Sequence, residues 1–454
     1  MNRLIFKKSR NDFYFYDRVK NQVGILPRRK FKGVNLGIII DTALKTPPNT
    51  GVTYRLYYLS KKLVEKGVYV KIFLCNRNFE TDKEIKNLLK EKGLEFHIIP
   101  EPLFYNVLKL EEIIKSNPVD ILQVEDPVYV LWYEAISRNL NIPFCLEMHD
   151  IEASLLEGLK YNQEKVDFRK AISYFACAVA NKIICMTPLD YNEAIYKIGV
   201  NKNKLTIIPN PIDLKEFPYY GSNLKTKNII FLGNMFYWPN QNAVKFIAEE
   251  IYPRISKKNK EVRFTLIGMV PERIKKRFSE NNFIFTGSVS GDDLNKLLKE
   301  ATIALCPVTE GSGMKVKILN YCATGLPIIT TKMGASGYEK VSSLIIENNP
   351  NRYPEIIIDL LNHPDKMRKI GKINREKIAK YYDLDKIANK TIQTYQDVLN
   401  SFSYKVQGIR KWRNLKLPLP LWLEEKRIKK IRNKNYYIIK NGEIKFKKEL
   451  DQFV

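Results

Sequence analysis

Short aliphatic and β-branched runs alternate with longer amphipathic stretches along most of this chain. Residues 34–41 (VNLGIIID) form a continuous apolar run, followed by the turn-rich TPPNTG and an amphipathic stretch from about Val52 to Lys66. Then come VYVKIFLC, an amphipathic stretch around Asp82–Lys92, LEFHIIP, VDILQVED, PFCLEMHD, KIICMT and KLTIIP, ending at Pro209. Apolar runs of this length read as strands buried on both faces, and the stretches between them as covering helices. The segment PNPIDLKEFPYYGSNLK, residues 209–225, breaks the alternation and predicts a linker. The pattern restarts with KNIIFLGNM, a helix from about Asn240, VRFTLIGMV, FIFTGSV, TIALCPV and LPIITT. A helical region from Pro350 to about Asn400 closes it. Two βα arrays joined by a linker predict an α/β chain of two doubly wound domains facing each other.

A length of 454 residues suits two cores, and 44% hydrophobic and 28% charged residues are ordinary for a globular chain. No apolar run reaches the length of a membrane-spanning helix, and no secretory leader is recognisable. The six cysteines stand singly in apolar segments, the pattern of reduced core residues in a cytoplasmic protein. The net charge of +27 is uneven: residues 1–33 carry +8, residues 401–454 carry +10, and the 367 residues between them only +9. Two basic extensions thus flank the body of the fold. The tail segment KWRNLKLPLPLWLEEKRIKKIR places Trp412 and Trp422 among leucines and cations. That composition suits peripheral contact with an anionic membrane at its inner face, or docking on the protein's own surface. Lysine outnumbers arginine nearly three to one, which argues against nucleic acid as the partner.

In doubly wound sheets ligands bind beyond the carboxyl ends of the strands, so residues just after strands are the candidates. Thr50-Gly51 opens a helix, where a glycine admits an anion to free N–H groups or simply makes a tight turn. His149 and Asp150 end PFCLEMHD, with Glu152 close behind; His149 suits a sugar hydroxyl contact or proton handling, or a structural hydrogen bond. The richest segment is VTEGSGMKVKILNYCATGLPIITT, residues 308–331. A strand ends, Gly311-Ser312-Gly313 turns, and a helix starts near Met314 with Lys315 and Lys317 in its first turn. Cations there oppose the helix dipole, so their placement asks for an anion such as a diphosphate. Glu310, before the turn, can accept from sugar hydroxyls. Gly233-Asn234 follows another strand, and Tyr237 and Trp238 beside it offer either a stacking surface or core.

Taken together, TPPNTG, MHD after a strand, KLTIIPNPIDLKEF, FLGNM, FTGSVS and TEGSGMKVKILNYCATGLPIITT resemble the GT-B glycosyltransferases of family four, over about residues 35–400. The resemblance implies two Rossmann-like domains across a cleft: residues 34–208 for the acceptor and 226–383 for the nucleotide-sugar donor. Residues 384–400 would form a helix returning to the N-terminal domain. It further implies that Gly51 approaches the donor phosphates, that His149 contacts the transferred sugar, and that Val289 faces the nucleotide base. Gly313, Met314 and Lys315 would cap the diphosphate or sugar, and Asp150 and Glu152 would lie on the acceptor side. Transfer would retain anomeric configuration and need neither metal nor cofactor, the donor being a co-substrate and the acceptor a glycan or lipid-linked sugar. FLGNMFYWPNQNAV with GSGMKVKIL is similar to a subgroup linked to surface polysaccharide assembly. The chain departs from the pattern at Thr50, at Asn234, where cations are usual, and at Asn320, where a glutamate usually holds the ribose; Lys315 and Lys317 are the replacement cations. The alternatives are a GT-B-like subunit without activity, or a basic protein that binds membrane or nucleic acid.

Overall fold

The structure, a computed structural model, describes residues 33–41, 50–76, 93–158, 161–278, 283–289 and 291–402, together with the backbone of five short terminal strands. The stretch around Asp82–Lys92, most of TPPNTG, Trp412 and Trp422 lie outside the described residues.

Fifteen consecutive residues form the first helix, α1 (Gly51–Glu65), because Thr50 caps it: its hydroxyl accepts from the Thr53 N–H at 3.2 Å, and Thr53 returns a bond to the Thr50 N–H. Its buried face includes Leu56, Leu59 and Leu63, and the strand before it, β4 (Asn35–Ile40), is buried from Leu36 on. The strands β5 (Tyr69–Asn76), β6 (Leu94–Pro100), β7 (Ile121–Val124), β8 (Phe144–Met148), β9 (Lys182–Cys185) and β10 (Leu205–Ile207) follow. All pair in parallel, in the order β10-β9-β8-β7-β4-β5-β6. Helix α2 (Gln163–Val179) covers one face of this sheet. The second sheet contains β11 (Asn228–Leu232), β12 (Arg263–Ile267), β13 (Phe283–Gly287), β14 (Ile303–Cys306), β15 (Ile328–Thr330) and β16 (Ile345–Ile346), in the parallel order β13-β12-β11-β14-β15-β16. Each sheet reverses its strand order once, at β4/β7 and at β11/β14, and each reversal opens a crevice above the strand ends.

Around the second sheet lie α3 (Trp238–Lys245), α4 (Val316–Thr324) and α5 (Pro364–Tyr381). The last described helix, α6 (Leu384–Ser401), crosses back and packs on α1, with Lys66 Nζ 2.9 Å from Asp385 Oδ1. Residues 209–225 contain no helix or strand, and Arg375 of α5 ties them to α4 by donating to the Phe217 and Ala323 carbonyls at 2.6 and 2.7 Å. One apolar cluster runs from the α1 face of the first sheet through Ile208, Ile212 and Phe217 into the second domain; a separate one fills the other face of the first sheet. All six cysteines are buried. Among the described residues, no helix is long and apolar enough to cross a membrane.

The sequence pattern names only basic extensions at the two ends. In the structure residues 4–26 contain a three-stranded antiparallel meander, β1 (Leu4–Lys8), β2 (Phe13–Asp17) and β3 (Gln22–Leu26). Near the C-terminus β17 (Tyr437–Lys440) and β18 (Glu443–Phe446) form a hairpin, and β17 pairs antiparallel with the edge strand β6.

Candidate active site in the interdomain cleft

The C-terminal half of the site begins where β11 ends. Gly268, after β12, has φ +124°, and a Cβ there would stand 2.1 Å from the Gly233 carbonyl oxygen, so only glycine lets these two strand exits close up. Asn234 then starts a turn, its Oδ1 accepting from the Phe236 N–H at 3.0 Å and its carbonyl accepting from Asn240 Nδ2 at 2.8 Å. The Lys317 ammonium reaches the same place from α4. It donates to Asn240 Oδ1 at 2.7 Å, lies 4.0 Å above the Phe231 ring, and would sit 3.0 Å from a Cβ on Gly233. Among the described residues no carboxylate pairs with it, and burial pushes it down to about 8.

After β14 the Gly311-Ser312-Gly313 turn uses φ +104° and +67° at its two glycines. Helix α4 starts at Val316, two residues later than the sequence pattern predicts, which puts Lys315 at the N-cap. No side chain caps α4, and its Ile318 N–H bonds the Lys315 carbonyl at 3.0 Å. The Lys315 ammonium folds back and donates to the Ser312 and Gly313 carbonyls at 2.8 and 2.9 Å, bracing the turn. Met314 is buried, and its sulfur accepts from the Asn210 N–H of the linker at 3.3 Å. Glu310 accepts from Trp238 Nε1 and Asn242 Nδ2 at 2.9 and 3.1 Å. Neither Tyr237 nor Trp238 is core, each being 48% exposed; they stand on the rim with Phe236. Asn320 is buried in α4, and its Oδ1 lacks a hydrogen-bond partner among the described residues.

The N-terminal half faces this turn across the cleft. A Cβ on Gly313 would meet the His149 carbonyl oxygen at 2.7 Å, and Ser312 Oγ donates to Asp150 Oδ2 at 2.9 Å. A Cβ on Gly51 would lie 3.6 Å from the Val316 side chain, so the starts of α1 and α4 adjoin. Gly51, Gly233, Asn234, His149, Asp150, Gly311, Gly313, Met314, Lys315 and Lys317 therefore gather at the crevices of the two sheets. Two candidates stand apart. Glu152 turns to α2, where Arg169 Nη1 meets it at 3.0 Å, and burial pushes its carboxyl up to about 7. Val289 follows the edge strand β13, with its side chain packed on the C-terminal core.

Several polar residues of the site escape the sequence pattern. His149 Nε2 lies 2.7 Å from Glu125 Oε2, just after β7. Burial works against the imidazolium, but the bond to Glu125 and the charges of Glu125 and Glu147 outweigh it and hold His149 above the ordinary histidine value. Gln123 Nε2 donates to Glu125 Oε1 at 2.5 Å and also to Glu147, while Tyr395 of α6 donates to Gln123 Oε1. Arg55 of α1 is 2% exposed; it bonds Glu147 and donates to the Pro209 carbonyl at 2.7 Å. Burial raises the Glu147 carboxyl, and Arg55 opposes that rise. The histidine at the cleft is thus held by a buried chain that reaches the linker and the returning helix. Glu125 had a visible signal, since VDILQVED ends a strand as PFCLEMHD does; Arg55 and Tyr395 had none.

Two sheets of Rossmann strand order, meeting across a cleft with a returning helix, define a GT-B protein. The Glycosyltransferase Family 4 model matches residues 49–216 and the Glycosyl transferases group 1 model residues 226–363, together well over half of the chain. The chain belongs to this family and is a glycosyltransferase. It is 24% identical over 256 residues to an uncharacterized 44.6 kDa protein of the Klebsiella pneumoniae cps region, covering 53% of this chain and 66% of that protein, just under two thirds of its length. It is 22% identical over 313 residues to the Escherichia coli UDP-Gal:alpha-D-GlcNAc-diphosphoundecaprenol alpha-1,3-galactosyltransferase, covering 65% and 79% of the two chains. HepE of Anabaena, solved in complex with UDP-glucose, shares the fold with a TM-score of 0.62 at 13% identity, over 80% of this chain and 99% of that one.

Proposed function

We propose that the chain transfers a sugar from a nucleoside-diphosphate sugar to a glycan or lipid-linked acceptor, with retention of configuration and without a metal. One observation carries this reading: the Lys317 ammonium, with no carboxylate partner among the described residues, reaches from the start of α4 to the exit of β11, while the Gly313 turn before the same helix meets the His149 carbonyl. A cation fixed in advance stabilises the charge that builds on a departing diphosphate. A phosphate oxygen of that leaving group then takes the acceptor proton, and His149 orients the transferred sugar while Glu125 holds its ring. Gly51 and Gly233 let the phosphates approach backbone, Asn320 reaches the ribose, and Val289 borders the base. Glu310 orients sugar hydroxyls from the rim.

The named activity of the E. coli relative and the UDP-glucose bound to HepE favour a uridine donor and an acceptor on a lipid diphosphate. Surface polysaccharide or glycoconjugate assembly at the cytoplasmic membrane face is the matching role, with the basic residues 1–33 and 401–454 supplying anionic-surface contact. The test is a thermal-shift screen against UDP-, GDP-, ADP- and dTDP-sugars, repeated with Lys317→Ala and Lys315→Ala. One nucleotide family should raise Tm in the wild type and much less in Lys317→Ala, with turnover unchanged by EDTA. No shift with any donor, or shifts that both variants keep, would remove the assignment.

A further inference from the structure

The loop between β14 and α4 lines the cleft, and a loop holds a side chain loosely unless a neighbouring element supports it. Glu310 stands on that loop just before the turn in which Ser312 donates to Asp150 at 2.9 Å and Gly313 meets the His149 carbonyl. Its support comes from α3. Trp238 and Asn242 are four positions apart and share one face of that helix. From there both donate to Glu310, Trp238 Nε1 at 2.9 Å and Asn242 Nδ2 at 3.1 Å. Both bonds end on Oε2. Among the described residues Oε1 accepts from no donor and no cation pairs with the carboxylate. Neutral donors fix the direction of a carboxylate without neutralising it, so one oxygen sets the geometry and the other keeps its strength as a charged acceptor. Lys245, another turn along α3, stands 5.5 Å above the Trp238 ring and steadies it in turn.

We propose that Trp238 is a positioning residue for sugar selection: its indole N–H aims Glu310 so that Oε1 takes one hydroxyl of the transferred sugar. The assignment rests on the transferase reading above and adds to it the residue that decides which sugar is accepted. A charged acceptor aimed in advance discriminates between epimers, because a sugar whose hydroxyl lies elsewhere leaves that oxygen desolvated and unpaired. Packing alone does not account for Trp238. Its ring is half exposed, yet its N–H points at a carboxylate 72 positions away in the chain. Replacing the indole by a phenyl ring removes that donor and leaves Glu310 tied to Asn242 alone, free to turn about its own side-chain bonds. The cation for the diphosphate, Lys317, is bonded to Asn240 instead. Sugar selection and nucleotide binding therefore belong to different side chains and can be separated by substitution.

Isothermal titration of the full chain tests this with the glucose, galactose and mannose conjugates of UDP, GDP, ADP and dTDP, the free nucleoside diphosphates serving as controls. Wild type should prefer one sugar over its epimers on the same nucleotide. Trp238→Phe should compress that preference about tenfold and leave the affinity for the free nucleotide unchanged. In a Glu310→Ala background the same substitution should change nothing further, because the carboxylate it aims is gone. Weaker binding of the free nucleotide by Trp238→Phe would make the residue structural. An effect that persists without Glu310 would mean that the ring touches the ligand directly. Either result overturns the assignment, as does a sugar preference that is absent in wild type or kept in full by Trp238→Phe; in those cases nucleotide binding leaves the transferase reading standing. Failure of every nucleotide to bind would remove both.

Discussion

Replacing Lys317 by methionine keeps most of the side-chain volume and removes the cation, which should stabilise the empty protein while disabling donor binding. Burial pushes the Lys317 ammonium from 10.5 down to about 8. At about 1.4 kcal/mol per pH unit, keeping the proton there costs the empty fold about 3 kcal/mol. The variant also gives up the bond to Asn240 and the contact with the Phe231 ring, each worth about 1 kcal/mol. A net gain of about 1–2 kcal/mol remains, and Tm should rise by about 1–2 °C. The pH dependence carries the same sign. Unfolded chain holds this proton to about 10.5 and folded chain only to about 8, so wild-type stability rises with pH between those values. In Lys317→Met that rise flattens. Donor affinity moves the other way: losing a charge-assisted bond to the diphosphate should weaken binding about 10- to 100-fold. In wild type about a tenth of Lys317 is charged at pH 9, so affinity should fall about tenfold from pH 7 to pH 9, and not in the variant. Differential scanning calorimetry of the empty protein and isothermal titration with the active donor read both arms. A variant that melts at or below the wild-type temperature and binds donor as tightly, with the same pH dependence, would refute the reasoning.

Other substitutions probe the opposite wall of the cleft. Glu125→Gln should lower the titration midpoint of His149, followed by nitrogen-15 histidine NMR, which is tractable because the chain has three histidines; an unmoved midpoint would show that Glu125 does not hold the ring. In wild type the stabilisation from this pair is full below the ordinary histidine value and is lost as pH rises through the higher folded one. Gly313→Ala combines φ +67° with a Cβ 2.7 Å from the His149 carbonyl, so it should cost about 1–2 kcal/mol and push the turn off its partner loop. A lower Tm together with weaker donor binding is expected, and wild-type values in both would count against the contact. Tyr395→Phe leaves Gln123 Oε1 without its donor and should destabilise by about 1–3 kcal/mol in urea unfolding.

Much of the site was legible because of one topological rule: ligands bind at strand ends, and strand ends are visible as hydrophobic runs that stop. That rule picked out Gly233, His149, Asp150 and the Gly311–Lys317 segment, and applied to VDILQVED it would also have named Glu125. It gave no separate roles to the two lysines of α4, whose ammonium groups go to different places although the residues are two apart. Lys315 closes its own turn, whereas Lys317 reaches the β11 exit. The bond from Trp238 to Glu310 was likewise invisible, since the two residues are 72 positions apart and only the packing of α3 against the loop brings them together.

The sequence by itself determined the two βα arrays, the linker between them and the helix after the second array, because periodicity and turn chemistry are local properties of the chain. Tertiary structure decided what acts together. Glu147 and Arg55 are 92 positions apart, Tyr395 and Gln123 are 272 apart, and Asp150 meets Ser312 across 162. Their partnerships depend on the strand order of each sheet and on the angle at which the two domains close. No local pattern encodes either one: they follow from burying the shared apolar cluster that runs through Ile208, Ile212 and Phe217.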